Sequence, residues 1–92
     1  MIYNALGASA INSDLVITNG NDTYICIMDP TRINRASATP IEEQEGWQIK
    51  LYHTTVDENT GIERTQTLYP EGRDSYDFAP KNIANYNFKY KI

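Results

Sequence analysis

The two side chains best suited to nucleophilic or acid–base catalysis are His53 and Cys26, the only histidine and the only cysteine in the sequence. A catalytic histidine needs a nucleophile and an orienting acid, and no nucleophile motif is present. Cys26 lies inside a β-rich run with no basic neighbour in sequence to lower its pKa. We therefore expect a buried structural cysteine, a partly buried histidine and no catalytic residues. A small enzyme is the weakest of three functional hypotheses.

The carboxylates occur in short clusters that could suggest glycoside hydrolysis or metal binding. Paired acids hydrolyse glycosides only across a cleft, and the chain is short for one. The segment 57–61, Asp-Glu-Asn-Thr-Gly, has oxygen ligands at alternate positions, like the start of a calcium loop, but lacks the bidentate Glu of that motif. No glycine-rich phosphate loop is present. We expect solvated loop charges, with no cofactor and no metal. The clusters are Glu42/Glu43/Glu45, Asp57/Glu58 and Glu71/Asp74/Asp77.

These residues must be positioned by β-structure, and residues 47–69 carry its clearest signal. Two runs of alternating residues flank a turn that ends in Gly61, which indicates a long β-hairpin. Pairing Asp57 with Ile62 leaves a four-residue loop and places Leu51 opposite Leu68. A one-residue slip would mix apolar and polar faces. The predicted register puts Trp47, Ile49, Leu51 and Leu68 on the core face, and Tyr52 with several threonines on a polar face.

The rest of the chain indicates further antiparallel pairing. Residues 14–18 and 23–28 flank an Asn-Gly turn and predict a first hairpin, whose second strand has two apolar faces and is therefore central or covered on both sides. The connector 31–46 predicts a short helical turn after Thr39. Residues 75–78 predict a short strand, residues 80–85 a tight or helical turn, and residues 86–92 a half-buried strand. The predicted fold is all-β, a small antiparallel sandwich or barrel of five to six strands.

Composition narrows the classes of partner. The chain has 92 residues and a net charge of −4, which predicts a single domain and argues against binding nucleic acid. One cysteine excludes an intrachain disulfide, and no apolar run is long enough to span a membrane. Residues 1–11 lack the pattern of a signal peptide. They are expected to form an arm that docks on a neighbour or a loose terminus, and residues 12–92 the β-domain.

Candidate contact residues come from the arm, the connector and the polar face of the central hairpin. A polar connector as long as residues 31–46 is unusual in a compact domain, and such loops are often interaction surfaces. On the hairpin, the aromatic side chain on the polar face is the best exposed contact. The interface candidates are Tyr3, Leu6, Ile33, Arg35, Ile41 and Tyr52.

From Trp47 to its end the chain resembles small β-proteins of bacteriophage virions. The resemblance rests on Trp47-Gln48-Ile49, the threonine-rich hairpin, Tyr69-Pro70-Glu71-Gly72, Tyr76-Asp77-Phe78 and Tyr86-Asn87-Phe88, whereas Ala79-Pro80 departs from it. It implies a structural role on a capsid, neck or tail and carries over no catalytic residue. The expected protein is a virion subunit, assembled in the host cytoplasm, that forms a homo-oligomer or docks on a capsid or tail protein. The alternative is a carbohydrate- or ligand-binding β-module.

Overall fold

The computed structural model describes the backbone of residues 2–5 and 14–92, and the side chains from residue 15 onward. Six antiparallel strands pair in the order of the sequence, β1-β2-β3-β4-β5-β6. Two 3-10 segments, η1 and η2, complete the regular structure of the described residues. The strands are β1 (Ile2–Ala5), β2 (Asp14–Asn19), β3 (Asp22–Met28), β4 (Trp47–Val56), β5 (Glu63–Pro70) and β6 (Phe88–Lys89), and the 3-10 segments are η1 (Ile41–Glu43) and η2 (Pro80–Asn85).

The all-β class and the construction from antiparallel hairpins are confirmed. β1 to β5 form one hydrogen-bonded sheet, and β6 joins β5 over two residue pairs. The finer choice between a sandwich and a barrel stays a prediction. The first residues of the expected arm pair with β2 as strand β1, so this part of the arm docks on the chain's own sheet. The domain boundary at residue 11 stays a prediction, because it falls outside the described residues.

The central hairpin has the predicted register. Leu51 lies opposite Leu68, and the Asp57 amide donates to the Ile62 carbonyl at 2.9 Å. Gly61 has a φ of 73°, the left-handed conformation that favours glycine at the end of this loop. The first hairpin is confirmed too, with Gly20-Asn21 as its turn and β3 as a central strand between β2 and β4.

The two faces of the sheet differ sharply in burial. One face, which we call the covered face, contributes the core; Ile33, Ile41, Phe78, Ile83 and Phe88 from the connector and the C-terminal segment pack against it. The buried strand residues of this face are Ile17, Tyr24, Cys26, Met28, Trp47, Ile49, Leu51 and Pro70. Trp47 is fixed by the connector, because its indole Nε1 donates to the Ile41 carbonyl at 3.0 Å. Because side chains alternate along each strand, every second strand residue points to the opposite face of the sheet.

The side chain of Gln44 links two parts of the connector. The Gln44 amide nitrogen donates to the carbonyls of Asn34 and Thr39, at 2.8 and 2.9 Å, and its oxygen accepts from the Asn34 amide at 2.8 Å. The predicted helical turn is present as η1, beginning at Ile41 after Pro40, with no side-chain cap from Thr39. Gly46 ends the connector in close contact with Ile33, and a Cβ there would lie 2.7 Å from Ile33 Cδ1, so a larger residue would displace this side chain.

The predicted C-terminal strand over residues 86–92 is wrong in length. Only Phe88–Lys89 pairs with β5, and Tyr90 and Ile92 are 62% and 92% exposed. The reason is the turn that follows Pro70: the Ile92 amide donates to the Gly72 carbonyl at 3.0 Å, which carries the chain away from β5. The predicted strand at residues 75–78 is reduced to a single bridge between Phe78 and Trp47. The turn predicted at 80–85 is confirmed as η2.

Candidate interaction surface

The second face of the sheet, which we call the open face, has no buried residue among those the structure describes. It carries half-buried aliphatic side chains, Val16, Ile25 and Ile27, on β2 and β3, and a mixture of tyrosine, threonine and lysine on β4 and β5. Cross-strand pairs on it include Ile25 with Lys50, Tyr52 with Thr67, and Thr54 with Thr65. The hydroxyls of the last pair lie 3.1 Å apart. Half-buried apolar surface bordered by polar groups is typical of a contact surface.

A lysine cluster lies at the β5–β6 end of the open face. Lys89 lies directly opposite Tyr69 and therefore shares its face. Lys91 donates to Asp74 at 2.8 Å, and this hydrogen bond lowers the pKa of Asp74, with a smaller contribution from the charge of Lys50. The same hydrogen bond raises the pKa of Lys91. The lysine cluster, defined as Lys50, Lys89 and Lys91, thus places three cations near Tyr69, and one of them, Lys91, is paired with the Asp74 carboxylate.

The central hairpin continues beyond the rest of the sheet. β3 ends opposite β4 at the pair Asp22–His53, and the Asn21 carbonyl still accepts from the Thr54 amide at 3.1 Å. Residues 55–64, which we call the hairpin tip, form a two-stranded ribbon and loop in which every residue is exposed. Val56 and Ile62 are each 52% exposed there. Large apolar side chains on a projecting element are well placed for contact with another protein.

His53 and Cys26 occupy structural positions. His53 is partly buried at the base of the hairpin tip, and its Nδ1 lies 2.5 Å from Asp22 Oδ1. Cys26 is fully buried, and burial raises the pKa of its thiol to about 12, so the thiolate that would attack a substrate is absent at neutral pH. Among the described residues, no group of three or more His, Cys, Asp or Glu side chains is placed to hold a metal ion.

An open groove of about 490 Å³ lies at the edge of the covered face, where Leu15, Glu42, Glu43 and Lys81 line it. Glu43 and Lys81 form an ion pair of 2.6 Å across it, which ties η1 to η2. These four residues place one aliphatic side chain, two carboxylates and one ammonium group along the groove. The ion pair between Glu43 and Lys81 therefore helps to pack η1 on η2.

The six interface candidates are separated in the structure. Tyr52 is half-buried on the open face, whereas Ile33 is 8% exposed and Ile41 partly buried, both packed on the core by the chain's own residues. Arg35 is exposed, with Nη2 4.0 Å from the sulfur of Met28. Tyr3 pairs with Ile17 in β1. Leu6 lies outside the described residues.

The lysine cluster and the hairpin tip were missed as sites by reasoning from sequence. Lys81, Lys89 and Lys91 gather near the end of the sequence, and by itself such a pattern is typical of a solvated strand face. The signal that could have revealed the cluster was the hairpin register, because extending the pairing of Leu51 with Leu68 places Lys50 beside Tyr69. Lys91 joins the cluster because the end of the chain returns to the turn at Tyr69–Gly72, where the Ile92 amide donates to the Gly72 carbonyl. The turn itself is indicated by Pro70 and Gly72, but no local pattern predicts that residues 91 and 92 pack against it.

Comparison of the chain with known protein families, curated proteins and solved structures finds no match. Among the described residues, no helix has the length and apolar character to cross a membrane. The surface itself is therefore what supports a functional hypothesis.

Proposed function

We propose that this chain is a structural subunit of a larger assembly that works through protein–protein contacts and not by catalysis. The observation that carries the proposal is the asymmetry of the sheet. One face is packed by the chain's own connector and C-terminal segment, while the open face has no buried residue among the described ones and continues into the exposed hairpin tip. Such a surface is suited to burial against a neighbouring subunit.

The assembly we propose is a bacteriophage virion, in which the chain decorates the capsid or belongs to the neck or tail. This step rests on the resemblance of residues 47–92 to small virion β-proteins. A lone, buried Cys26 is compatible with folding in a reducing host cytoplasm, where a disulfide-stapled domain would be disfavoured. Protein partners, and neither nucleic acid nor membrane, are the expected contacts.

Mass spectrometry of gradient-purified particles tests this function. Tryptic peptides of the chain should be recovered in constant ratio to the major capsid protein across the particle peak. Recovery of the chain from infected cells, but not from particles washed in high salt, would contradict a stable structural role. A version with Tyr52→Glu on the open face should lose particle association, whereas the matched change Ala84→Glu on exposed η2 should keep it.

A carbohydrate- or ligand-binding module is the second candidate, and the two tyrosines of the open face favour it. Tyr52 and Tyr69 lie on neighbouring positions of β4 and β5 and share this face with several threonines. Tyrosine rings beside hydroxyl groups can stack on sugars and hydrogen-bond to them. Binding on a glycan array that is lost with Tyr69→Ala and Tyr52→Ala would favour this function over assembly.

A further inference from the structure

We propose that the hairpin tip of one copy docks on the lysine cluster of a second copy, which joins the chains head to tail. This inference rests on the proposed function and names the partner and the two surfaces. The tip and the lysine cluster lie on the same chain but have opposite charge and separate positions. An interface between two such different surfaces is heterologous, so repeating it produces a closed ring or an open filament.

The hairpin tip supplies an acidic and partly apolar surface. It carries Asp57, Glu58 and Glu63 against a single cation, Arg64. The loop is rigid, because Asp57 Oδ1 accepts from the Asn59 amide at 2.8 Å and the Asp57 backbone pairs with Ile62. A preorganised loop loses little conformational entropy when it binds. The exposed Val56 and Ile62 add apolar surface beside these charges.

The lysine cluster supplies the complementary surface. Lys89 is exposed and forms no ion pair with any residue of the described part of the chain, so its charge remains available to a partner. Lys50 stands opposite Ile25 on one side and adjoins Tyr69 on the other. Half-buried Ile25 and Tyr69 can receive the apolar side chains of a tip while the lysines meet its carboxylates.

The two surfaces cannot meet within one molecule. Lys50 and Asp57 are seven residues apart along the extended β4–β5 ribbon, which corresponds to roughly 24 Å at 3.4 Å per residue. The ribbon is kept extended by continuous pairing from Leu51–Leu68 to Val56–Glu63. In a pair of copies, the lysine cluster of one copy can instead receive the hairpin tip of the other. The overall charge of −4 opposes indiscriminate association, so attraction is confined to this local match of opposite charges.

Charge reversal in two separate variants tests the interface. The tip variant carries Glu58→Lys and Glu63→Lys, and the cluster variant carries Lys50→Glu and Lys89→Glu. Each variant alone presents like charges at both surfaces. An equimolar mixture restores opposite charges, because the basic tip of one variant faces the acidic cluster of the other, and the unmodified tip faces the unmodified cluster. A control variant carries Glu42→Lys and Glu45→Lys. It has the same net charge as the tip variant but leaves the hairpin tip unchanged.

Sedimentation velocity of the full chain at low ionic strength, over a range of concentrations, gives the readout. We expect the wild type and the Glu42/Glu45 control to self-associate, each single-surface variant to do so about tenfold or more weakly, and the mixture to recover association. Circular dichroism of each variant establishes folding. A wild type that stays monomeric, or a mixture no better associated than its components, overturns the head-to-tail contact. Particle association measured by mass spectrometry is independent of that result, so the proposed function would stand or fall separately.

Discussion

The Nδ1 atom of His53 lies 2.5 Å from Oδ1 of Asp22, at the last pair that joins β3 to β4. Beyond this pair the central hairpin has no third strand among the described residues, so the contact fixes the point from which the hairpin tip projects. The His53 and Asp22 side chains are 38% and 29% exposed. An interaction this accessible to water orients the ribbon more than it stabilises the fold.

Replacing Asp22 with Asn should loosen the hairpin tip with little effect on global stability. The expected loss in the free energy of unfolding is about 0.5 kcal/mol, as for partly exposed pairs. Amides near the base of the tip should exchange hydrogen faster while those of buried Ile49 and Cys26 stay unchanged. Equilibrium unfolding in urea and residue-resolved hydrogen exchange give the two quantities. Unchanged exchange in the tip would show that the contact does not hold the ribbon.

Cys26 should be chemically inert in the folded protein and should make stability fall at high pH. Burial raises the pKa of its thiol from 9.0 to about 12. Because the raised value belongs to the folded state, this stabilisation is complete below pH 9 and is lost as the pH rises from 9 towards 12. A thiol reagent at pH 8 should modify Cys26 only after unfolding. In Cys26→Ala, the part of the fall in unfolding free energy at high pH that comes from the thiol should disappear. Rapid labelling of Cys26 in the native wild type would contradict its burial.

Glu71 should be replaced more easily by Gly than by Ala. Glu71 has a φ of 54°, its amide donates to the Asn87 carbonyl at 2.7 Å, and its Oε1 accepts from the Asn87 amide at 2.9 Å. Both substitutions remove the carboxylate and its hydrogen bond, which lowers the free energy of unfolding by about 1 kcal/mol. Only glycine also removes the steric strain of the left-handed backbone conformation, which adds about 1 kcal/mol to the free energy of unfolding. Urea unfolding should place Glu71→Gly near the wild type and Glu71→Ala about 1 kcal/mol below it. Equal losses would mean that the backbone is not strained.

Gln44 should control the order of the connector. Gln44→Met keeps the length of the side chain but removes its three hydrogen bonds to Asn34 and Thr39. We expect faster trypsin cleavage after Arg35 and a loss of about 1–2 kcal/mol in the free energy of unfolding. Gln66→Met, at an exposed position of β5, is the matched control. Equal cleavage rates in the two variants would show that Gln44 does not hold the connector.

The sequence predicted the hairpins because their register is specified locally. Alternating residues, the Asn-Gly turn and Gly61 each depend on neighbours within a few positions, and Leu51 opposite Leu68 follows from them. The C-terminal strand was overpredicted for the same reason: Tyr90 and Ile92 continue the alternation, but the chain leaves β5 for Gly72. Whether a partner strand is present is a tertiary property that alternation does not report.

The candidate surface was harder to predict because it depends on contacts between distant residues. Tyr52 was placed on the polar face by alternation alone, and the structure has it there. The burial of Ile33 and Ile41 depends on how the connector folds back over Trp47, and no local pattern specifies that. The lysine cluster likewise needs the turn at Gly72 to bring Lys91 to Asp74.

Photo-cross-linking within assembled particles asks whether the open face is a protein contact surface. A photoreactive phenylalanine derivative replaces Tyr52 on the open face, and a second version carries it in place of exposed Ala84 on η2. We expect the derivative at position 52 to form a covalent adduct with a neighbouring protein in the particle, and the derivative at position 84 to do so at least about tenfold less. No adduct at position 52, or equal adducts at both positions, would contradict this expectation.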